Sequence, residues 1–336
     1  MDFGSVVRPE ITLTRIITHD DLDGLVSAAL VSLATGVTRT FFTGPVSVQN
    51  GRTPTTESDI VCDLPCPVRV GMWFDHHPGN LEDLKLREVD PQQIPGKFDV
   101  QPSCARVVYE YFRGDHVFPA FMEDTVTATD RVDSFDYRTM AEWREPTSER
   151  LLSDAIFAAS GDRRGYFPFL EKVLRLVKTG PLAHAVTDAD VASMIERYRH
   201  MEENSLKLME PDSRFHPLDL EKEVVIVDLT RHNRRPEVIR GAAFILHPEA
   251  LAALLVTNHF AGGKKTNDLN FSMSLSFLMN RREHNKDIGE IMRELNIGDG
   301  HPGAAGGRID CRSKDEMLKV KEETITRIIE LWRGMG

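Results

Sequence analysis

Thr18-His19-Asp20-Asp21-Leu22-Asp23-Gly24, directly after the apolar pair Ile16-Ile17, is the stretch that decides how this chain is read. Two similar groups follow: Asp63 after Ile60-Val61-Cys62, and Asp75-His76-His77 after Met72-Trp73-Phe74. Short apolar runs of this kind are expected as buried parallel strands. In an open α/β sheet the ligand site lies just beyond the C-terminal ends of the strands. Three strand ends then aim His19, Asp21, Asp23, Asp63, Asp75, His76 and His77 at one place. So many carboxylates share a small site only if cations balance them. Imidazole plus carboxylate suits Mn²⁺, Fe²⁺, Co²⁺ or Zn²⁺, and two such ions about 3.5–4 Å apart make a phosphoryl-transfer centre.

Within the first group, His19, Asp21 and Asp23 face the same way if the segment stays extended, and Gly24 lets the backbone turn tightly into a helix. A helix cap alone would need one Asp, not three and a His. Asp63 by itself reads as a turn or cap residue; it gains weight because a two-ion centre needs a bridging carboxylate. Adjacent histidines point to opposite faces of an extended chain. One of His76 and His77 is therefore expected as a ligand and the other as a phosphate contact or orienting group.

Outward from this cluster, the 336 residues are long for one core, and two domains are expected. Apolar helical runs are expected at 25–33, 103–112 and 121–134, the last carrying Asp124, Asp130 and Asp133, and at 151–177 around a 161–165 break. The first strand is expected from Ile11. A polar amphipathic helix over 188–209, ended by Pro211-Asp212-Ser213, suits an interdomain connector. The pattern then restarts, with strands at 223–229, 254–256 and 269–278, a helix-like stretch at 248–253, helices at 287–295 and 313–333, and a glycine-rich loop at 298–307. The expected division is 1–187, 188–212 and 213–336.

The net charge of −11 argues against broad binding of long duplex nucleic acid. A short anionic substrate stays open, because bound cations make a pocket locally positive. The opening residues lack the pattern of a signal peptide, and no apolar run approaches a membrane span. Four cysteines make no disulfide framework at this length, so a cytoplasmic setting is expected. Cys62 and Cys66 flank Asp63 without the further ligands a zinc site needs.

The residues 19–24 resemble motif I of the DHH phosphoesterase superfamily, HxDxDG. Asp63 is similar to motif II, Asp75-His76-His77 is the tripeptide that names the family, and 128–134 is similar to motif IV. Gly298-Asp299-Gly300-His301-Pro302-Gly303-Ala304-Ala305-Gly306-Gly307 resembles the GGGHxxAAG loop of the family's C-terminal DHHA1 domain. The resemblance spans nearly the whole chain. It implies an α/β fold: an N-terminal parallel-sheet DHH domain and a smaller α/β DHHA1 domain, joined by the connector helix. It implies two divalent ions, Mn²⁺ first, with Mg²⁺, Co²⁺ or Zn²⁺ as alternatives. One would be held by His19, Asp21 and Asp63, the second by Asp23, Asp63, His76 and Asp130. His77 would contact the scissile phosphate, with Asp75 orienting a histidine. Asp133 competes with Asp130, whose context matches the motif better.

The chain departs from the family at Asp299, which replaces a loop glycine and is expected to repel a phosphate unless it turns away. The strand 271–277 also lacks the arginine of a Ser-x-Arg-Ser pattern. That is closer to exopolyphosphatase-like and oligoribonuclease-like members, where Asn280, Arg281 and Arg282 would bind substrate with Gly300 and His301. The implied function is metal-assisted hydrolysis of a small phosphorylated substrate: short single-stranded oligonucleotide, pAp, cyclic dinucleotide or polyphosphate. The alternative is a non-catalytic metal or nucleotide sensor on the same scaffold. The reading implies no membrane and no long-duplex partner, and it is compatible with a homodimer.

Overall fold

Ile16, Ile17, Ile60, Val61, Trp73 and Phe74 are all buried, as strands covered on both faces must be. They form the centre of a parallel sheet in the computed structural model, which describes residues 12–162 and 164–335. Ile11, the expected start of the first strand, lies outside the described residues. The strands are β1 (Arg15–Thr18), β2 (Thr40–Phe42), β3 (Asp59–Cys62), β4 (Met72–Asp75) and β5 (Gly96–Phe98). Their order is β2-β1-β3-β4-β5, all parallel, with Thr18 opposite Cys62 and Cys62 opposite Phe74. The strand order reverses between β1 and β3, so a crevice opens at their C-terminal ends.

Strand alternation sends Ile16, Ile60 and Phe74 to one face, where they pack with the helix Leu22–Thr35 and with helices farther along the chain. Ile17, Val61 and Trp73 go to the other face with Val48, Leu64 and Leu84. Leu25, Val26, Ala28, Ala29 and Leu30 are all fully buried. The first helix is thus apolar nearly all round, the pattern of a helix inside a core.

The chain divides into two compact units. The first runs to Asp136 and resumes over Glu145–Tyr198; the second joins Tyr137–Arg144 to Arg199–Gly336. The helix Ala189–Met209 lies in the expected connector segment 188–212, and the two units part within it, between Tyr198 and Arg199. Tyr137 and Trp143 belong to the second unit because both rings pack edge-on or tilted against Phe277.

The second unit is a mixed sheet of β6 (Ser213–Phe215), β7 (Val224–Asp228), β8 (Ala252–Ala261), β9 (Lys264–Leu275), β10 (Gly298–His301) and β11 (Ala304–Ile309), in the order β10-β11-β9-β8-β7-β6. Val224 and Ile226 face the helices Ile288–Glu294 and Lys314–Gly334; Val225 and Val227 face the helix Ala242–Leu246. The helix-like stretch expected at 248–253 is a turn leading into β8, and the helix lies earlier. The glycine-rich segment is a β-hairpin, not an open loop. Among the described residues no helix is long and apolar enough to cross a membrane.

Candidate metal centre

β1, β3 and β4 end at Thr18, Cys62 and Asp75, and the next residues are His19, Asp63 and His76. In-register parallel pairing therefore delivers three candidate ligands to one level of the crevice. β1 stops at Thr18 and Asp23 already lies in the first helix, so the extended chain expected through 19–23 is replaced by a turn. That turn is tight: a Cβ on Gly24 would sit 2.3 Å from the His19 carbonyl oxygen. Asp21 caps the helix through Oδ1, which accepts from Gly24 N at 2.9 Å, while Oδ2 lies 2.7 Å from His19 Nδ1.

Asp63 is the centre of the cluster. It is buried and holds a left-handed backbone (φ 56°), a conformation that Asp and Asn tolerate better than most side chains. Its Oδ2 lies 3.5 Å from His19 Nδ1, and its Oδ1 lies 3.7 Å from His76 Nε2 and 3.6 Å from His77 Nδ1. The two oxygens thus face two different groups. One is His19, Asp21 and Asp63; the other is Asp23, His76 and Asp133, whose ligand atoms lie within 4.8 Å of one another.

The second group corrects the expectation for Asp130. Asp130 is turned away: Ser103 Oγ donates to its Oδ1 at 2.6 Å, and Arg106 donates to its Oδ2 through Nε (2.9 Å) and Nη2 (2.7 Å). Asp133, one helical turn on, has Oδ2 3.4 Å from His76 Nε2. Asp23 accepts from the backbone of Cys104 (2.7 Å) and Ala105 (2.8 Å), at the start of the helix Cys104–Tyr111, and its Oδ2 is also 3.7 Å from His76 Nε2.

The electrostatics are those of a site short of positive charge. Burial, then the charges of Asp23, Asp21, Asp133 and Asp75, push the Asp63 carboxyl far above the usual range. Burial and the Asp21 charge raise Asp23 to about 7, and burial with Asp23 and Asp21 raises Asp133 to about 9. His76 donates from Nδ1 to the Gln101 carbonyl at 2.9 Å, and burial lowers its pKa, so Nε2 is held as a lone-pair donor. Two buried atoms here have no hydrogen-bond partner, Asp63 Oδ1 and His76 Nε2. Orphaned buried acceptors aimed at one another need a positive bridge. The residues present therefore fit divalent ions with mixed nitrogen and oxygen preference.

His77 is held differently. Its Nδ1 donates to Asp75 Oδ1 at 3.0 Å, and Asn80 Nδ2 donates to Asp75 Oδ2 at 2.7 Å, so a fully buried carboxylate fixes a half-exposed imidazole. The hydrogen bond to Asp75 outweighs burial and raises the His77 pKa. Asn80, Arg106 and Tyr166, which donates to the Asp20 carbonyl at 2.9 Å, escape sequence reasoning. Each is an ordinary polar residue whose partner is fixed only by the fold.

In the second unit, the hairpin places His301 opposite Ala304. Its tip is pinned by Leu275 N to Gly303 O (2.8 Å) and Ile288 N to Pro302 O (3.0 Å). Asn280, Arg281 and Arg282 are exposed on the segment between those two anchors, at the same end of the sheet. Asp299 turns toward Arg293, whose Nη1 donates to its Oδ1 at 2.7 Å. That hydrogen bond, and one from Gly300 N, hold its carboxyl below the usual range. The charge expected to repel a phosphate is thus already paired.

No family model matches the chain, and no curated relative does. Solved structures do. The pGpG-specific phosphodiesterase PggH from Vibrio cholerae superposes with a TM-score of 0.76 at 24% identity, over 96% of this chain and 100% of that one. RecJ from Thermus thermophilus, in complex with Mn²⁺, matches with a TM-score of 0.54 at 17% identity over 97% of this chain and 53% of its own. The DHH domain of a member of the s1p family of ribosomal proteins matches at 0.56 and 12% identity. These likenesses show a DHH-type fold for this chain, in which the expected motif I, II and III residues converge and Asp133, not Asp130, groups with Asp23 and His76.

Proposed function

We propose that this chain is a divalent-metal-dependent phosphoesterase acting on a small phosphorylated substrate. The observation that carries the reading is Asp63, whose two carboxylate oxygens face separate groups of ligands, as a bridging carboxylate requires. His19, Asp21 and Asp63 would hold one ion; Asp23, Asp63, His76 and Asp133 would hold the other. When bound, such a pair of ions neutralises phosphate charge and acidifies a water at neutral pH. Mn²⁺ is the first candidate, in keeping with the donor set and with the Mn²⁺ and Mg²⁺ complexes of RecJ among the structural neighbours.

The protein's own groups do the rest. Asp75, itself fixed by Asn80, keeps a proton on His77 Nδ1 and directs the ring. His77 then presents its other nitrogen as a donor to the phosphate oxygen on which charge builds. The raised His77 pKa favours that cationic form. Tyr166 anchors the Asp20 carbonyl and steadies the turn that carries His19 and Asp21. In the second unit, His301, Asn280, Arg281 and Arg282 are the proposed donors to a phosphorylated ligand.

The likeness to a pGpG-specific phosphodiesterase makes linear dinucleotides the first substrates to try. Mn²⁺-dependent hydrolysis should be screened on pGpG, other linear dinucleotides, pAp and tripolyphosphate. Turnover of one of them that chelation abolishes supports the proposal. Metal binding without turnover of any phosphodiester, phosphomonoester or phosphoanhydride would favour a sensor.

A further inference from the structure

The second unit contains a cavity of about 940 Å³ that the proposed function does not use. Its walls are the C-terminal end of β7, the β8–β9 hairpin and the first two turns of the helix Lys314–Gly334. It lies at the far end of the sheet from His301. Lys265 lines the cavity near the start of β9, while Ser274, near its end, pairs with Ala304 of the glycine hairpin. Nine residues of strand separate them, roughly 30 Å.

The lining is strongly basic: Arg214, Arg231, Lys265, Lys314 and Lys321 against Asp212 and Asp228. Both acids are already engaged. Asp212 pairs with Arg231 at 2.7 Å and with His232, and Asp228 pairs with Lys321. Arg214 pairs with Glu322 at 2.9 Å. Among the described residues Lys265 and Lys314 have no carboxylate partner; Lys265 Nζ donates only to the Thr230 carbonyl. Burial, together with the charges of Lys314 and Lys321, holds the Lys265 ammonium below the usual lysine range. Two like charges converge here, and the opposing charge that acts on Lys265, Asp228, is already paired with Lys321.

A second observation is independent of charge. Asn258 lines the same cavity and is 4% exposed. Its Nδ2 donates to the Thr266 carbonyl at 3.0 Å, which fixes the amide orientation, and its Oδ1 has no partner. A buried acceptor without a donor is costly, and the cavity wall is where a ligand would supply one. The strand bulges between Asn258 and Phe260, a device that re-aims a side chain.

We infer that this cavity is a second anion site, which takes a small phosphorylated ligand between Lys265 and Lys314. Lysine ammonium groups suit the compact charge of a phosphate. A protonated phosphate oxygen, or a hydroxyl on the ligand, gives Asn258 Oδ1 its missing donor. The volume exceeds what inorganic phosphate fills and falls within the range of small-molecule sites. An oligophosphate or a nucleoside phosphate fits that description.

The test is calorimetric titration of the full chain, in excess chelator to silence the metal centre. The probes are inorganic tripolyphosphate and, separately, guanosine 5′-monophosphate. At least one should bind. Lys265→Gln/Lys314→Gln should weaken that binding by about tenfold or more, the effect of losing charge-assisted hydrogen bonds. Lys314→Glu alone, at an exposed position that leaves folding intact, should weaken it too. His301→Ala and Asp63→Asn should leave it unchanged. Binding of neither probe to the wild-type chain, equal affinity in the lysine variants, or loss of binding in His301→Ala would each overturn the inference.

Discussion

Asp130 and Asp133 lie one turn apart on the helix Phe121–Asp133, and the same substitution should affect them in opposite directions. In the metal-free chain the Asp133 carboxyl is held at about 9 by burial and by Asp23 and Asp21. In the unfolded chain it has an ordinary value near 3.9. Between those values the folded state binds a proton that the unfolded state does not, so stability falls as pH rises through the window. At about pH 7.5, some 3.6 units above the unfolded value, the part of the shift already expressed would cost roughly 5 kcal/mol, at about 1.4 kcal/mol per unit. The repulsion is shared with Asp23 and Asp63, so we expect roughly 1–3 kcal/mol of it to be relieved by Asp133→Asn. The chelated Asp133→Asn protein should resist urea better than wild type near pH 7.5 and match it near pH 4. Asp130→Asn should instead destabilise at both, because it weakens the contact with Arg106. With Mn²⁺ restored, elemental analysis should find Asp133→Asn short of one ion and inactive, and Asp130→Asn fully loaded. An Asp133→Asn protein that is no more stable at pH 7.5, or an Asp130→Asn protein that alone loses an ion, would refute the argument.

Asp63→Asn should lose both ions by elemental analysis, since one residue faces both groups. His77→Ala should keep its metal and lose rate by about 10²–10⁴, and Asp75→Asn should lose part of that by releasing the ring; an empty centre in His77→Ala would exchange its role with that of His76. His301→Ala should lower kcat/KM at unchanged metal content, measured on whichever substrate the screen identifies. Asp299→Gly should change KM little, because Arg293 already balances the charge; a marked tightening at low salt would show that the pairing does not hold in solution.

Much of this could be read from the chain. The apolar runs Ile16-Ile17, Ile60-Val61-Cys62 and Met72-Trp73-Phe74, each just ahead of candidate ligands, marked β1, β3 and β4, because strands buried on both faces leave few polar residues to blur their ends. What failed depended on rotation or on distant partners. Residues three apart on a helix differ by some 60° in direction, and only Arg106, arriving from another helix, decides that Asp130 turns aside and Asp133 turns in. An extended 19–23 would have faced His19, Asp21 and Asp23 the same way, yet the capping power of Asp21 starts the helix one residue later. β8 and β9 proved longer than their apolar centres, since their outer ends carry the polar residues Asn258, His259, Lys264 and Lys265. The orienting residues Asn80 and Tyr166 carry no local signal at all.

The left-handed backbone at Asp63 has a consequence for how such a site can be lost. Few side chains sit comfortably at a φ of 56°, and among them are Asn and Gly. A single base change converts an Asp codon to either. Mutations that would abolish the proposed bridge are therefore also those the backbone accepts, and they relieve a crowd of buried negative charge. A lineage released from the need for catalysis would drift toward a silent, sturdier scaffold, whereas a lineage that keeps Asp63 does so against the stability of its own metal-free state.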